Sequence, residues 1–289
     1  MTATPPEPES FLSGETGHVA GVRRRVLRSL GDAALDLRAR LSGAEQQLSE
    51  LAEEAPDREV VVLSVYRPDT VCLLGALEEL RRSRHRLKLL LGSTGEPLPD
   101  LAANTVASAL DAGKFQNLNT LWTIGVSGPF DWLFVVDDDV TLPPHFLDRF
   151  IAICEHFDLA MAQPAQTLMS HAAWRVTRRR GGSYVRESRF VEIGPVTAFR
   201  SDAAIELVPF PDLRYGWGLD LHWAALAAER GWRLGIVDAL PVRHEQLPVA
   251  NSYSHEDAIE EARRFLTGRP FVRSAEAQET IATHRTLTR

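Results

Sequence analysis

The sequence predicts an α/β fold, a sheet flanked by helices and preceded by a helical N-terminal extension. Three observations carry that reading. Apolar runs at Glu59–Tyr66, Arg86–Gly92, Trp132–Val136 and Trp232–Asp238 have strand length and little alternation, as strands covered on both faces do. The stretches between the early runs carry helical spacing, so strand, helix and strand alternate as parallel pairing requires. The run at Trp132 also passes straight into Asp137-Asp138-Asp139, which puts three carboxylates at the edge where open α/β sheets bind ligands.

In chain order, residues 1–17 are rich in Pro, Glu, Ser and Gly and are expected to be disordered. Residues 18–56 form the helical extension. From Val22 to Ala55 the residues Leu30, Ala34, Leu37, Leu41, Ala44, Leu48 and Leu51 recur at alternating steps of four and three, the spacing of a coiled-coil seam. So short a seam suits either a homodimer formed through residues 22–52 or an amphipathic helix lying on its own domain, and both readings stand. The main domain spans residues 57–246. Its first strand, Glu59–Tyr66, leads into the turn sequence Arg67-Pro68-Asp69 and a helix carrying Leu73, Leu74, Leu77 and Leu80. The second strand stops at Gly92-Ser-Thr-Gly95. Gly113-Lys-Phe-Gln-Asn-Leu-Asn-Thr-Leu-Trp122 reads as a loop entering a helix that buries Leu118, Leu121 and Trp122. Lys114, Asn117 and Asn119 then lie near a helix start, which favours anions.

Pro143-Pro144 opens a helix whose apolar side is Phe146, Leu147, Phe150, Ile151 and Cys154. Between His171 and Arg189, six arginines surround Gly181-Gly182, which predicts a mobile basic loop or hairpin. Two short strands are expected about Gly194-Pro195 within Phe190–Phe199. Tyr215-Gly-Trp-Gly-Leu-Asp220 is a glycine-aromatic turn whose aspartate starts a helix through Leu221, Ala224, Leu226 and Ala227. The last core strand leads on to His244. Residues 247–289 form a polar C-terminal tail, helical near Asp257–Leu266 and frayed beyond.

With 289 residues and 44% hydrophobic content the chain can build one large domain with a substantial core. A net charge of −7 speaks against broad nucleic-acid binding. Cys72 and Cys154 have no C-x-x-C spacing, so neither a disulfide framework nor a thiolate zinc site is indicated, and a reducing, cytoplasmic setting fits. No apolar run reaches membrane-span length, and the opening residues lack the blocks of a signal peptide, so the chain reads as soluble.

Adjacent carboxylates repel one another, and a bound divalent cation offsets that repulsion. Alternate residues of an extended chain point the same way, so Asp137 and Asp139 can converge on one ion while Asp138 faces elsewhere. Four features now stand in one order: a polar loop with Lys114 and Asn117, the acidic strand end, the Gly-Trp-Gly-Leu-Asp turn, and a late histidine after a strand.

In that order and context, over roughly residues 58 to 246, the chain resembles the GT-A-fold glycosyltransferases of the Asp-x-Asp type. The resemblance implies a Rossmann-like mixed sheet flanked by helices. It also implies Asp137, Asp139 and His244 as metal ligands, Asp220 as the base of an inverting reaction, and a nucleotide-sugar donor, most often a uridine nucleotide, with a small-molecule or glycan acceptor. The turn reads Gly-Leu-Asp where many inverting members have Glu-Asp.

The chemistry agrees. A cation held by carboxylates stabilises charge gathering on a departing diphosphate. Oxygen ligands suit Mg2+ or Mn2+, and one imidazole from His244 favours Mn2+. A carboxylate such as Asp220 takes the proton of an acceptor hydroxyl. Its place at a helix start is expected to keep it ionised, and the plainer role there is helix N-cap. Tyr66, Arg67, Lys114, Asn117, Asp137 and Asp138 are the candidate nucleotide-sugar contacts. Trp217, Arg178 and Arg180 are assigned to the acceptor side, the arginines as partners for a phosphate or carboxylate.

Two other readings compete. Val135-Val-Asp-Asp-Asp-Val-Thr141 fits the haloacid-dehalogenase-like phosphatase signature with Asp137 as nucleophile, but both lysines precede it, whereas those enzymes bring theirs later. A Walker B strand would need a P-loop, and no such motif occurs. A GT-A-like domain that binds a nucleotide or glycan without turnover is the non-enzymatic alternative.

Overall fold

The structure, a computed structural model, describes residues 4–13, 21–245 and 254–287. Helices α1 (Val22–Leu41) and α2 (Ala44–Glu54) precede the sheet. Its first half is built from β1 (Glu59–Tyr66), α3 (Leu73–Arg81), β2 (Arg86–Ser93), β3 (Thr105–Ala107), α4 (Lys114–Gly125) and β4 (Trp132–Val136). There follow β5 (Val140–Thr141), α5 (Phe146–His156), β6 (Leu159–Gln166), β7 (Val185–Ser188), β8 (Val196–Arg200), α6 (Ser201–Leu207) and α7 (Leu219–Arg230). The chain closes with β9 (Arg233–His244), α8 (His255–Leu266), α9 (Ser274–Ala277) and β10 (Thr280–His284).

The strands lie in the order β10-β7-β9-β6-β8-β4-β1-β2-β3, and β5 pairs with β9. β1 is parallel to β2 and β4, and β6 is parallel to β9, but β8 runs antiparallel between β4 and β6. The sheet is therefore mixed, as the resemblance implied. Both faces are covered. Val61 and Leu63 pack with Phe115, Phe199 and Trp223, while Val60 and Val62 pack with Leu77, Phe134 and Phe150. That split is the two-residue period of β1, and burying each such side chain contributes roughly 1.5–3 kcal/mol. Among the described residues no helix is long and apolar enough to cross a membrane.

Five local expectations change. The extension is two helices, broken at Ser42-Gly43, where Gly43 is left-handed at φ 72°. The seam divides there: Leu48 and Ala52 of α2 are buried on the domain, whereas Leu30, Leu37 and Leu41 of α1 stay exposed. Residues 4–13 of the segment expected to be disordered are docked, with Phe11 only 3% exposed; residues 1–3 and 14–17 of that segment lie outside the described residues. Phe11 anchors this segment, its ring packed in the core despite the polar composition around it.

The basic stretch 171–189 is not a mobile loop. Arg186 is wholly buried, forks onto Asp238 at 2.8 and 3.0 Å, and donates to the carbonyls of Val176 and Arg178. About Gly194-Pro195 there is one strand, β8, instead of two. The tail does not fray beyond its helix, because β10 joins the sheet edge against β7.

Candidate functional site

β4 sends its five residues into the core and ends at Val136, so the three aspartates emerge at its carboxyl edge. The Asp137 amide donates to Pro195 O at 2.9 Å, tying that edge to the start of β8. The side chains then part. Asp138 Oδ2 accepts the Arg67 amide at 2.9 Å, and Thr70 Oγ1 donates to the Asp138 carbonyl at 2.6 Å, so Asp138 braces the loop after β1. Burial pushes its carboxyl up, and the Arg67 amide and guanidinium partly offset this.

Asp137 and Asp139 instead gather with His244, their ligand atoms all within 4.8 Å of one another. His244 reaches them because β5 follows Asp139 directly and sets Val140 opposite His244 on β9. His244 Nε2 stands 3.0 Å from Asp139 Oδ1. Burial pushes Asp139 up, but the hydrogen bond and charge of His244 outweigh it and hold the carboxyl below its ordinary value. Burial likewise depresses the His244 ring, and Asp139 outweighs that and raises it. Two carboxylates and one imidazole converging from two pinned strand ends fit a divalent cation of the magnesium–manganese class.

Lys114, at the start of α4, places Nζ 2.6 Å from Asp137 Oδ1 and 2.8 Å from the Ile193 carbonyl. Gly194 allows that approach, since a Cβ there would lie 2.7 Å from Asp137 Oδ2 and 3.1 Å from Lys114 Nζ. Ile193 also faces the other way, and its amide donates to the carboxylate of Asp220. One residue thus joins the lysine that holds Asp137 to the candidate base.

Asp220 is the second residue of α7. The N-cap is Gly218 at φ 82°, where a side chain would be strained and would meet Leu266 at 2.9 Å, so Asp220 does not cap the helix. Glu261 on α8 fixes the turn by accepting the amides of Arg214, Tyr215 and Gly216 at 2.7, 2.8 and 3.0 Å. Asp220 is 4% exposed, and its carboxyl is pushed up to about 7 by burial, against the pull of the Leu221 and Ile193 amides. The helix start therefore does not keep it simply ionised; desolvation outweighs the dipole.

Glu192 is the residue that sequence reasoning missed. Its carboxylate accepts Gln166 Nε2 at 2.8 Å, and its amide donates to Gln163 Oε1. Burial and then the Asp220 charge push it up to about 8, with His244 pulling the other way. Its partners sit on β6, itself unrecognised; two glutamines in one apolar run, wholly buried, were the available signal.

A carboxyl raised in the folded state is protonated there while the unfolded chain is ionised, so stability is full below the unfolded value and falls as pH rises through the folded one. Thermal midpoints are accordingly expected to fall between pH 5 and about 8, the value of Glu192. Glu192→Gln should flatten that slope in a pH series of melting curves, and an unchanged slope would refute the assignment.

The other sequence-predicted residues are placed as follows. Tyr66 is wholly buried, its hydroxyl engaged with Thr105 Oγ1 and the Leu98 amide. Asn117 is buried and holds the Ala112 carbonyl at the loop before α4. Arg67 stays at the site's edge, its Nε 3.5 Å from Asp138. Trp217 is partly exposed with its ring 5.5 Å from that of His255. Arg178 is bridged to Gln166, the partner of Glu192, whereas Arg180 lies by Thr280 and, through its amide, Asp238.

No protein-family model and no curated protein matches the chain. Solved structures do. TarS residues 1–349 from S. aureus, in complex with UDP-GlcNAc, aligns with a TM-score of 0.52 at 10% identity, over 72% of this chain and 65% of that one. GalNAc-T7 with UDP, GalNAc and Mn2+ gives 0.51 at 11% identity, over 72% and 48%. A mycobacterial protein gives 0.51 at 11%, over 77% and 79%. The chain thus spans less than two thirds of the first two. At such identities the likeness concerns backbone architecture, and with the mixed sheet and its acidic β4 edge it identifies the chain as having a GT-A-like fold, the fold of nucleotide-sugar glycosyltransferases.

Proposed function

We propose that this chain is a metal-dependent glycosyltransferase that moves a sugar from a nucleoside-diphosphate donor, a UDP-sugar in the first instance, to an acceptor hydroxyl with inversion. The observation that carries the reading is the convergence of Asp137, Asp139 and His244 at one strand edge, joined through Lys114 and Ile193 to the buried carboxyl of Asp220. Matched structures that hold uridine nucleotides or Mn2+ support the donor class and the metal.

Asp137, Asp139 and His244 would hold the cation, which when bound supplies Lewis-acid stabilisation of the diphosphate. Lys114 keeps Asp137 oriented and adds positive charge where the leaving group's charge develops. Asp220, raised to about 7, accepts the acceptor's hydroxyl proton as its oxygen attacks the anomeric carbon and the carbon–phosphate oxygen bond breaks. A carboxyl near neutrality takes that proton more readily than an ordinary one. Arg178 is assigned to an anionic group of the acceptor, a reading supported by its backbone bridge to Gln166, which holds Glu192.

Calorimetry of UDP and GDP with Mn2+, with Mg2+ and with chelator should show binding that needs the metal. Asp220→Asn should keep that binding but lose about a hundredfold or more of UDP release from a UDP-sugar. Metal-dependent binding with no UDP release by the wild type would instead establish binding without turnover.

A further inference from the structure

Away from the site just described, the helical extension and the main domain line an open-sided cavity of about 1090 Å³. None of Lys114, Asp137, Asp139, Glu192, Asp220 or His244 lines it. The separation follows from the alternation of β9: His244 turns to the carboxylates, while its neighbour Arg243 turns to the cavity.

The walls are basic in a chain whose net charge is −7: seven arginines face four carboxylates. Most of those carboxylates are already taken. Asp32 and Asp36 hold Arg179, Glu45 holds Arg40, and Asp238 is claimed by the buried Arg186 outside the cavity. Arg38 and Arg285 have no carboxylate within ion-pair distance among the described residues, yet both gather on Gly182. Arg285 Nη1 donates to the Gly182 carbonyl at 3.1 Å, and Arg38 Nη2 stands 3.2 Å from the position a Cβ of Gly182 would take. Arg180 immediately precedes the glycines, but its guanidinium turns away to Thr280, where burial and the charge of Arg186 depress it against the pull of Asp238.

Like charges drawn together without counter-charge raise the energy of the empty site, and a multiply charged anion removes that cost. Guanidinium forks match phosphate geometry. We infer that this cavity binds a soluble phosphate-bearing small molecule, its phosphoryl group held by Arg38 and Arg285 beside the Gly181-Gly182 turn. The volume is that of a whole ligand pocket, so the phosphoryl group belongs to a larger body. Because Arg38 is on α1 and Arg285 follows β10 of the domain, the ligand also fastens the extension to the domain.

The test is a titration of the full chain with inorganic phosphate at constant ionic strength, with chelator present so that binding at the carboxylate site is silent, read by thermal shift and by calorimetry. The wild type should show saturable binding and a rising melting midpoint. Arg38→Ala and Arg285→Ala should each weaken it by about tenfold, and the pair together by about a hundredfold. Arg23→Ala with Arg24→Ala, on the same helix but away from the cavity, and Asp137→Asn should bind as the wild type does. The two cavity arginines are exposed, and circular dichroism of each variant without phosphate confirms that any loss is not one of folding. Absence of saturable binding in the wild type overturns the inference. So does binding that survives the double substitution, and so does binding lost in Asp137→Asn.

Discussion

Asp137→Ala is expected to abolish metal-dependent nucleotide binding, with a loss of about a hundredfold or more in the affinity for UDP with Mn2+. Loss of a mere supporting group around a metal ligand already costs about 10–100-fold, and Asp137 is both a ligand of the candidate triad and the carboxylate held by Lys114. The contrast lies one residue away. Asp138→Asn leaves the triad intact and removes charge only from the loop after β1, so manganese binding should survive it. Isothermal titration of the two variants with manganese, then with UDP, distinguishes them. Equal losses would mean that the acidic run acts as a diffuse patch, and full retention by Asp137→Ala would sink the metal site.

The largest effect on stability is expected at Arg186 and Asp238. Both side chains are fully buried, and the guanidinium also satisfies the carbonyls of Val176 and Arg178. Removing either partner leaves a charge in the interior with no counter-ion, which costs about 3–5 kcal/mol. For a chain of this size that is roughly 10 °C in melting midpoint. Arg186→Met combined with Asp238→Leu should cost less than the two single changes added together, because no orphaned charge remains. Scanning calorimetry of the four proteins closes the cycle, and strict additivity would show that the pair is not coupled.

How much of this was legible in the sequence depends on which physical signal each element carried. β1, β4 and β9 announce themselves by apolar, β-branched runs, and the division of labour among Asp137, Asp138 and Asp139 follows from strand alternation alone. β6 does not announce itself. Leu159-Ala-Met-Ala-Gln-Pro-Ala-Gln166 has few strand formers and a proline that argues against a central position. It sits between β8 and β9 nonetheless, with its register to β9 shifting between Pro164 and Gln166. Glu192 was invisible for the same reason, since its partners lie on that strand. The arginine cluster misled because charge was read as exposure. Arg186 is inside because Asp238, fifty-two positions away, is inside with it, and no local pattern encodes that pairing. The state of Asp220 likewise depended on burial that the motif does not carry.

The docking of residues 4–13 and of β10 has a practical corollary. Pro6 accepts Arg263 of α8, Glu9 accepts Ser274 of α9, Phe11 sits in the core, and β10 closes the sheet beside β7. A fragment excised at residues 57 and 246 would keep the acidic corner but strip the Glu261 brace from its turn and uncover a bare strand edge, inviting self-association. Residues 4–13 and 254–284 are therefore structural members of the domain, not appendages.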